Sequence, residues 1–174
     1  MTVKELERHI RDVPDFPKKG ILFKDITPLL ADGQAFRATI GHLSDRAGAR
    51  RPDVIVAIES RGFIFGSAVA TALGIGFVPV RKPGKLPRRS RRVTYALEYG
   101  TDSLEMHEDA VPPGARVLIV DDLLATGGTA GAAAELVLQG GAEVVGCAFV
   151  IELAFLGGRA RLSPLAVDAL IAYD

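Results

Sequence analysis

Residues 117–130 read VLIVDDLLATGGTA, and this stretch decides the fold. An apolar run rich in β-branched residues is typical of a buried strand, and here it ends in two adjacent carboxylates. Small residues follow, and they open an Ala-rich stretch that is typical of a helix. A buried strand that leads directly into a helix is the repeating unit of a parallel sheet covered on both faces.

Similar units flank this stretch on both sides. Continuous apolar strands alternate with helical segments, so we predict an α/β fold in which helices flank a parallel sheet. One strand is predicted at Val117–Asp122. The other strands are predicted at Asp53–Glu59, Gly76–Val80, Val144–Glu152 and Val167–Ala172, and the helices at Gly62–Leu73 and from about Thr129 to Leu138.

Two segments fall outside this alternation. The N-terminal arm, through DFPKKGILFKDITPLL, is punctuated by Pro and Gly, and we expect residues 1–35 to form a small hood over the sheet edge. Residues 82–109 begin with Pro, Gly and Arg, then alternate as VTYALEY before TDSLEMH, which predicts a flexible loop that runs into a hairpin lid. The sequence shows no repeat or linker, so we expect a single domain over residues 1–174.

Composition excludes several classes of function. The formal net charge of the 174 residues is zero, so we expect no specific nucleic-acid partner. The three histidines are too far apart for a metal site, and Cys147 lies in an apolar run, as a buried inert thiol does. The sequence has no apolar run long enough to span a membrane, and its opening, MTVKELERHI, is charged. We therefore expect a cytoplasmic protein without a membrane partner.

The loop after the predicted strand Val117–Asp122 suits a phosphate. Ala125, Thr126, Gly127, Gly128 and Thr129 are small or hydroxylated, and they precede a helix whose first N–H groups lack partners. The carboxylates of Asp121 and Asp122 repel a phosphate, so their natural partners are sugar hydroxyls, which donate hydrogen bonds. The alternative is an ordinary strand-to-helix turn. A nucleotide-binding Walker B strand is disfavoured because the chain contains no GxxxxGK[ST] motif.

A second loop follows another predicted strand in AIESRGFIFG. Glu59, Ser60, Arg61 and Gly62 bring a charged donor, a hydroxyl and backbone N–H groups to a helix start. Such a group could bind a pyrophosphate, although an ordinary turn with a solvated arginine is the alternative. Because both loops follow parallel strands, we expect them to meet in one crevice.

The sequence resembles the type I phosphoribosyltransferases and, among them, the adenine phosphoribosyltransferases. The matching motifs are DFPKKGILFKDITPLL, SRGFIFG, VRKPGKLP, YALEYGTDSLE and VDDLLATGGT, which occur in this order along most of the chain. The resemblance implies that Asp121 and Asp122 bind the ribose hydroxyls of 5-phosphoribosyl-1-pyrophosphate (PRPP). It also implies that Ala125–Thr129 bind the 5-phosphate and Glu59–Gly62 the pyrophosphate, in a loop whose acidic–Ser peptide is often cis.

The resemblance also implies a substrate and a reaction. Transfer of the phosphoribosyl group to adenine would give AMP and pyrophosphate, with the base stacked on Phe23 and its edge bound by the backbone of Leu22 and Lys24. Family members that act on 6-oxopurines carry a lysine where this chain reads VIELAFLGG, which favours adenine. Another purine base, or a PRPP-sensing regulator without catalysis, remains an alternative.

Further roles follow from the same resemblance. Arg81, Lys82 and Lys85 would join Arg61 in binding pyrophosphate, some of them across the interface of a homodimer. Mg²⁺ would arrive with PRPP, since it prefers substrate phosphates and water to a protein cage. Glu98 would be the acid/base, with Tyr99 closing beside it in the lid, although a solvated hairpin glutamate is the alternative.

The lid departs from the family pattern in its arginines. Arg88, Arg89, Arg91 and Arg92 crowd five positions of LPRRSRRVTY. They could be solvated, attract polyanionic PRPP, or make weak nucleic-acid contacts.

Overall fold

The computed structural model describes residues 1–96 and 100–174, so the predicted acid/base Glu98 and its neighbour Tyr99 lie outside the described residues. The strands are β1 (Arg11–Pro14), β2 (Leu22–Asp25), β3 (Val54–Ile58), β4 (Gly76–Val80), β5 (Ser90–Ala96), β6 (Thr101–His107), β7 (Arg116–Leu124), β8 (Glu143–Leu153) and β9 (Val167–Tyr173). The helices are α1 (Val3–Glu7), α2 (Thr27–Ala31), α3 (Gly33–Ala49), α4 (Arg61–Leu73), α5 (Gly128–Gln139) and α6 (Gly158–Arg161), with a 3-10 turn at Ala154–Leu156.

Five parallel strands form the central sheet in the order β4-β3-β7-β8-β9. Neighbouring residues on one strand point to opposite faces, and so Ile55 and Val56 belong to two different apolar clusters. Helices α3 and α4 cover the face that carries Ile55, while α5 and the β5–β6 hairpin cover the face that carries Val56. The predicted α/β fold with a parallel sheet between helices is therefore confirmed.

The N-terminal arm forms a small antiparallel pair, β1 with β2. It meets the outer edge of the sheet at β9, where the Lys24 ammonium lies 3.7 Å from the centre of the Tyr173 ring. The segment 82–109, which was predicted to contain a hairpin, also forms an antiparallel pair. Its strands are β5 and β6, and Tyr95 of β5 stands opposite Asp102 of β6. A bridge between Arg81 and Glu105 joins this hairpin to the chain just after β4.

The side chains of three lid arginines, Arg88, Arg91 and Arg92, are bonded to neighbouring parts of the chain. Arg88 pairs with Asp109 at 2.5 Å, and Arg91 donates to the Glu108 carbonyl at 2.6 Å. Arg92 donates twice to the buried carboxylate of Glu105, at 2.8 and 2.6 Å. These arginines therefore brace the hairpin.

Within the described part of the chain, no helix is long and apolar enough to cross a membrane.

Candidate active site

The two predicted loops meet in one cleft of about 400 Å³ at the carboxyl ends of β3 and β7. Because these strands are adjacent and parallel, the loops that follow them face each other. The lining residues are Ile58, Glu59, Ser60, Arg61, Lys82, Asp121, Asp122, Leu123, Leu124, Ala125, Thr126, Gly127, Gly128, Thr129 and Ala130. The cleft thus contains every residue of the predicted phosphate loop and three of the four residues predicted around Arg61.

The phosphate loop ends at the N-terminus of α5. Gly127 has a φ of +80°, a conformation that glycine adopts without steric cost, and α5 begins at the next residue. Among the described residues, no side chain caps this helix start, which leaves backbone N–H groups for a ligand. The positive end of the helix dipole favours an anion at the same place.

Gly127→Ala should disrupt this loop. A Cβ at Gly127 would lie 2.7 Å from the Gly158 carbonyl oxygen and would require an unfavourable positive φ. We expect a loss of about 2 kcal/mol in the free energy of unfolding, and weaker PRPP binding, because the backbone must move. Chemical denaturation and the KM for PRPP measure these two effects. Gly131→Ala is the matched control, since its Cβ would meet only Leu162 at 3.9 Å; equal stability of the two variants would contradict the prediction.

The two aspartates differ in their surroundings. Asp122 is buried and accepts a 2.5 Å hydrogen bond from Nε of Arg61. Asp121 accepts a bond from the backbone N–H of Asp122, and a Cβ at Gly62 would lie only 2.5 Å from its Oδ1 atom. Burial and the neighbouring Asp122 charge raise the pKa of Asp121 well above its ordinary value of 3.8. Gly62 itself does not line the cleft; its missing side chain lets α4 approach Asp121.

Asp121→Asn should stabilise the ligand-free protein. Since the folded-state pKa is raised, ionisation of Asp121 opposes folding, and this loss of stability develops as the pH rises from 3.8 through the raised pKa. The neutral amide avoids that loss, so the free energy of unfolding at neutral pH should increase by roughly 1 kcal/mol. Denaturation curves measured across pH test this prediction. Asp109→Asn, at an exposed carboxylate, should show no such gain, and an Asp121→Asn protein no more stable than wild type would refute it.

The loop after β3 leads into α4. Its Glu59–Ser60 peptide is cis, as the family resemblance implies. Ser60 and Arg61 face the cleft, but the Glu59 carboxylate already accepts bonds from Arg81 Nε at 2.9 Å and from the Lys82 backbone N–H at 2.5 Å. Burial would raise the pKa of Glu59, yet these hydrogen bonds outweigh it and lower that pKa. Glu59 therefore braces the chain after β4.

The basic residues after β4 separate in space. Lys82 borders the cleft, whereas Arg81 and Lys85 do not line it. Arg81 is paired with Glu59 and donates to the Lys85 carbonyl at 3.3 Å, and Lys85 is exposed.

The hood places one aromatic ring beside the cleft. The Phe23 ring lies 5.7 Å from the Arg61 guanidinium carbon, and Phe16 contacts it edge to face at 5.0 Å. Leu22 is about half exposed. The side chain of Lys24 is nearly buried and bonds to Asp12 at 2.6 Å, so Lys24 presents only its backbone for the predicted contact with a base.

Two adjacent carboxylates are acidic groups of the cleft that could take part in holding a metal ion. Among residues 1–96 and 100–174, no group of three His, Cys, Asp or Glu side chains could hold a metal ion. Two adjacent carboxylates do face the cleft, and Mg²⁺ is commonly bound by one or two carboxylates together with substrate phosphates. Asp121 and Asp122 would therefore be the protein groups nearest to such an ion, which would supply positive charge to a pyrophosphate.

A polar network at the edge of the cleft was not predicted from the sequence. The Lys82 ammonium bonds to Asp102, and the Tyr95 hydroxyl lies 3.3 Å from both the Asp102 carboxylate and the Thr129 hydroxyl. The signal that could have revealed part of it is the hairpin register, because an alternating pattern places Tyr95 and Asp102 opposite each other.

Comparisons with known proteins agree with this geometry. Residues 26–165 match the family model of the phosphoribosyl transferase domain. The chain is 63% identical to the adenine phosphoribosyltransferase of Sorangium cellulosum, over 96% of this chain and 84% of that protein. It superposes on the crystal structure of the Thermoanaerobacter pseudethanolicus adenine phosphoribosyltransferase with a TM-score of 0.97 and 54% identity, covering 99% and 100% of the two chains. A Saccharomyces cerevisiae adenine phosphoribosyltransferase, crystallised with D-DIAB (an imino-altritol bisphosphate) and adenine, gives a TM-score of 0.91 and 45% identity over 97% of each chain. The chain therefore belongs to the phosphoribosyltransferase family and, within it, to the adenine phosphoribosyltransferases.

Proposed function

We propose that the cleft transfers the 5-phosphoribosyl group of PRPP to adenine and produces AMP and pyrophosphate. The observation that carries this proposal is the meeting of an uncapped helix start, a carboxylate pair and a basic loop in a single cleft. These groups match the phosphate, the ribose hydroxyls and the pyrophosphate of one PRPP molecule. The membership of the chain in the adenine phosphoribosyltransferases supports adenine as the acceptor.

The parts of PRPP are assigned to separate groups. The backbone N–H groups of Ala125–Thr129 bind the 5-phosphate, helped by the hydroxyls of Thr126 and Thr129. Asp121 and Asp122 accept hydrogen bonds from the two ribose hydroxyls. Ser60 and Arg61 bind the pyrophosphate with Lys82. A Mg²⁺ ion held beside Asp121 and Asp122 would supply further positive charge at the pyrophosphate.

The base occupies the space between the hood and the ribose. The ring of Phe23 lies next to Arg61, which lines the cleft, so this ring can stack on a base that is held beside the ribose carbon. The backbone of Leu22 and Lys24 then forms hydrogen bonds with the adenine edge. Glu98 accepts the proton that adenine loses as its nitrogen is alkylated, and Tyr99 closes over the site with it.

The cleft accelerates the reaction mainly through charge and exclusion of water. As the bond from the ribose C1 to pyrophosphate breaks, positive charge develops on the ribose and negative charge on the leaving group. Arg61 and Lys82 stabilise the leaving group. The hairpin that begins after Lys85 acts as a lid, since water in the cleft would hydrolyse PRPP instead.

We also propose that two copies of the chain form a homodimer. β4 is the edge strand of the central sheet, and Ile64 on the adjacent helix α4 is 38% exposed, which supports an interface on this side. Lys85, which is exposed next to this edge, is then available to the partner's pyrophosphate. Sedimentation equilibrium should give twice the 18.4 kDa mass of one chain, and a monomer would contradict the proposal.

A base-competition assay tests the proposed substrate. Protein, Mg²⁺, PRPP and an equimolar mixture of labelled adenine and hypoxanthine should give AMP as the dominant product. Equal conversion of hypoxanthine would remove the specificity for adenine. PRPP binding without any nucleotide product would instead favour the regulator.

A further inference from the structure

Four side chains connect the hairpin to the phosphate loop and to the chain that follows β4. Asp102, at the start of β6, accepts a hydrogen bond from the Lys82 ammonium and lies 3.3 Å from the Tyr95 hydroxyl. The same hydroxyl lies 3.3 Å from the hydroxyl of Thr129 in the phosphate loop. Lys82 lines the cleft, so the Asp102 carboxylate of the hairpin is paired with a cation that borders the proposed substrate site.

The pair between Lys82 and Asp102 is partly exposed rather than locked in the core. Their side chains are 40% and 31% exposed, respectively. Partial burial is the largest single influence and would lower the pKa of Lys82, but its interactions with Asp102 and Tyr95 together outweigh burial and raise that pKa. For Asp102, burial would raise the pKa, but the hydrogen bonds from Lys82 and the Ser103 backbone N–H, among other interactions, outweigh it. The pKa of Asp102 is therefore lowered. Both groups are thus charged near neutral pH, and each is accessible to exchange.

Asp102 has other donors that remain if Lys82 leaves. The backbone N–H of Ser103 donates to its Oδ1 atom at 2.8 Å, and the Tyr95 hydroxyl lies within reach of Oδ2. A carboxylate that keeps such donors is not left buried and unpaired, which would otherwise be costly. The ammonium of Lys82 can therefore turn from Asp102 to a phosphate oxygen without stranding its former partner.

We propose that Asp102 competes with pyrophosphate for the Lys82 ammonium and thereby limits how tightly the cleft holds polyanions. This inference rests on the proposed function, in which Lys82 binds pyrophosphate. Asp102 acts through Lys82, so it is a positioning residue rather than a catalytic one. Before substrate binds, Asp102 balances the positive charge of Lys82 and holds its ammonium in place. After the reaction, Asp102 pairs with the ammonium again as pyrophosphate leaves.

The alternative role for Asp102 is a purely structural clamp. In that case the hydrogen bonds to Tyr95 and Lys82 would only hold the hairpin against α5. Loss of the carboxylate would then loosen the cleft and weaken the binding of pyrophosphate. Competition predicts tighter binding of pyrophosphate instead, because removal of the Asp102 carboxylate frees the Lys82 ammonium and deletes a negative charge near a polyanion.

Asp102→Asn distinguishes these roles through the binding of magnesium pyrophosphate. Isothermal titration calorimetry at low ionic strength should show binding about fivefold tighter than in wild type, and pyrophosphate should inhibit AMP formation at correspondingly lower concentration. The gain should shrink at high salt because the pair is partly exposed. Asp102→Glu should restore an affinity close to that of wild type.

Matched variants make the result specific. Asp109→Asn removes an equal charge from an exposed carboxylate near the end of the hairpin and should change the affinity for pyrophosphate by less than about twofold. In a Lys82→Met background, the gain from Asp102→Asn should fall to about twofold or less, because the cation is gone. Unchanged or weaker pyrophosphate binding in Asp102→Asn, or an undiminished gain without Lys82, would overturn the inference. If wild-type protein binds magnesium pyrophosphate but forms no AMP, the proposed reaction fails while the calorimetric comparison still decides the role of Asp102.

Discussion

Asp122→Asn is expected to weaken PRPP binding by about 10- to 100-fold, which corresponds to the loss of one charge-assisted hydrogen bond. The side chain of Asp122 is 9% exposed and accepts a hydrogen bond from Arg61 at 2.5 Å, and the residue lines the cleft. The amide keeps the shape but loses the charge that attracts a ribose hydroxyl and orients Arg61. The KM for PRPP and calorimetric titration with PRPP and Mg²⁺ measure the effect.

A control variant separates this loss of binding from the loss of an ion pair. Asp168 forms a comparable pair with Arg50, at 2.6 Å, but lies near the start of β9, at the opposite end of the sheet from the cleft. Asp168→Asn should reduce stability and leave the KM for PRPP unchanged. An unchanged affinity for PRPP in Asp122→Asn would remove Asp122 from the ribose site.

Glu98→Gln is expected to lower turnover by about 100-fold or more, the range typical of a lost acid/base group. The reason is chemical, since adenine must release a proton as its nitrogen forms the new bond. PRPP should bind nearly as well as in wild type, because Glu98 is proposed to act on adenine and not on PRPP. Steady-state kinetics therefore should show a lower kcat with little change in the KM for PRPP.

A nearby glutamate provides the control for Glu98. Glu108 lies just beyond β6, and its exposed side chain makes Glu108→Gln a comparable charge change outside the cleft. That variant should keep wild-type turnover. Wild-type turnover in Glu98→Gln would show that another group, or water, accepts the proton.

The sheet was predictable because its strands carry continuous apolar runs. Val117–Asp122 was expected to be a strand and lies inside β7, while Gly76–Val80 coincides with β4. The long helix α3 was not predicted, since three of its buried positions are Ala35, Thr39 and Ala47, which give a weak apolar stripe. Its clearest local signal is Asp32, whose carboxylate caps the first turn.

The site was predictable where its chemistry lies within one short segment. Residues 125–129 are adjacent in sequence, and so their shared role in one loop follows from the motif itself. The bond between Lys82 and Asp102 joins segments 20 residues apart, and it depends on where the hairpin packs against α5. For the same reason, the bonds from Arg81 and Lys82 to Glu59 could not be inferred from its position at the end of a strand.

A crystal structure of the protein with AMP bound tests the central claim most directly. We expect the 5-phosphate to lie at the N-terminus of α5, against the backbone N–H groups of residues 126–129. We further expect the ribose hydroxyls to lie within hydrogen-bonding distance of Asp121 and Asp122, and adenine to stack on Phe23. AMP bound with its phosphate away from this loop, or with its base away from the hood, would contradict the account.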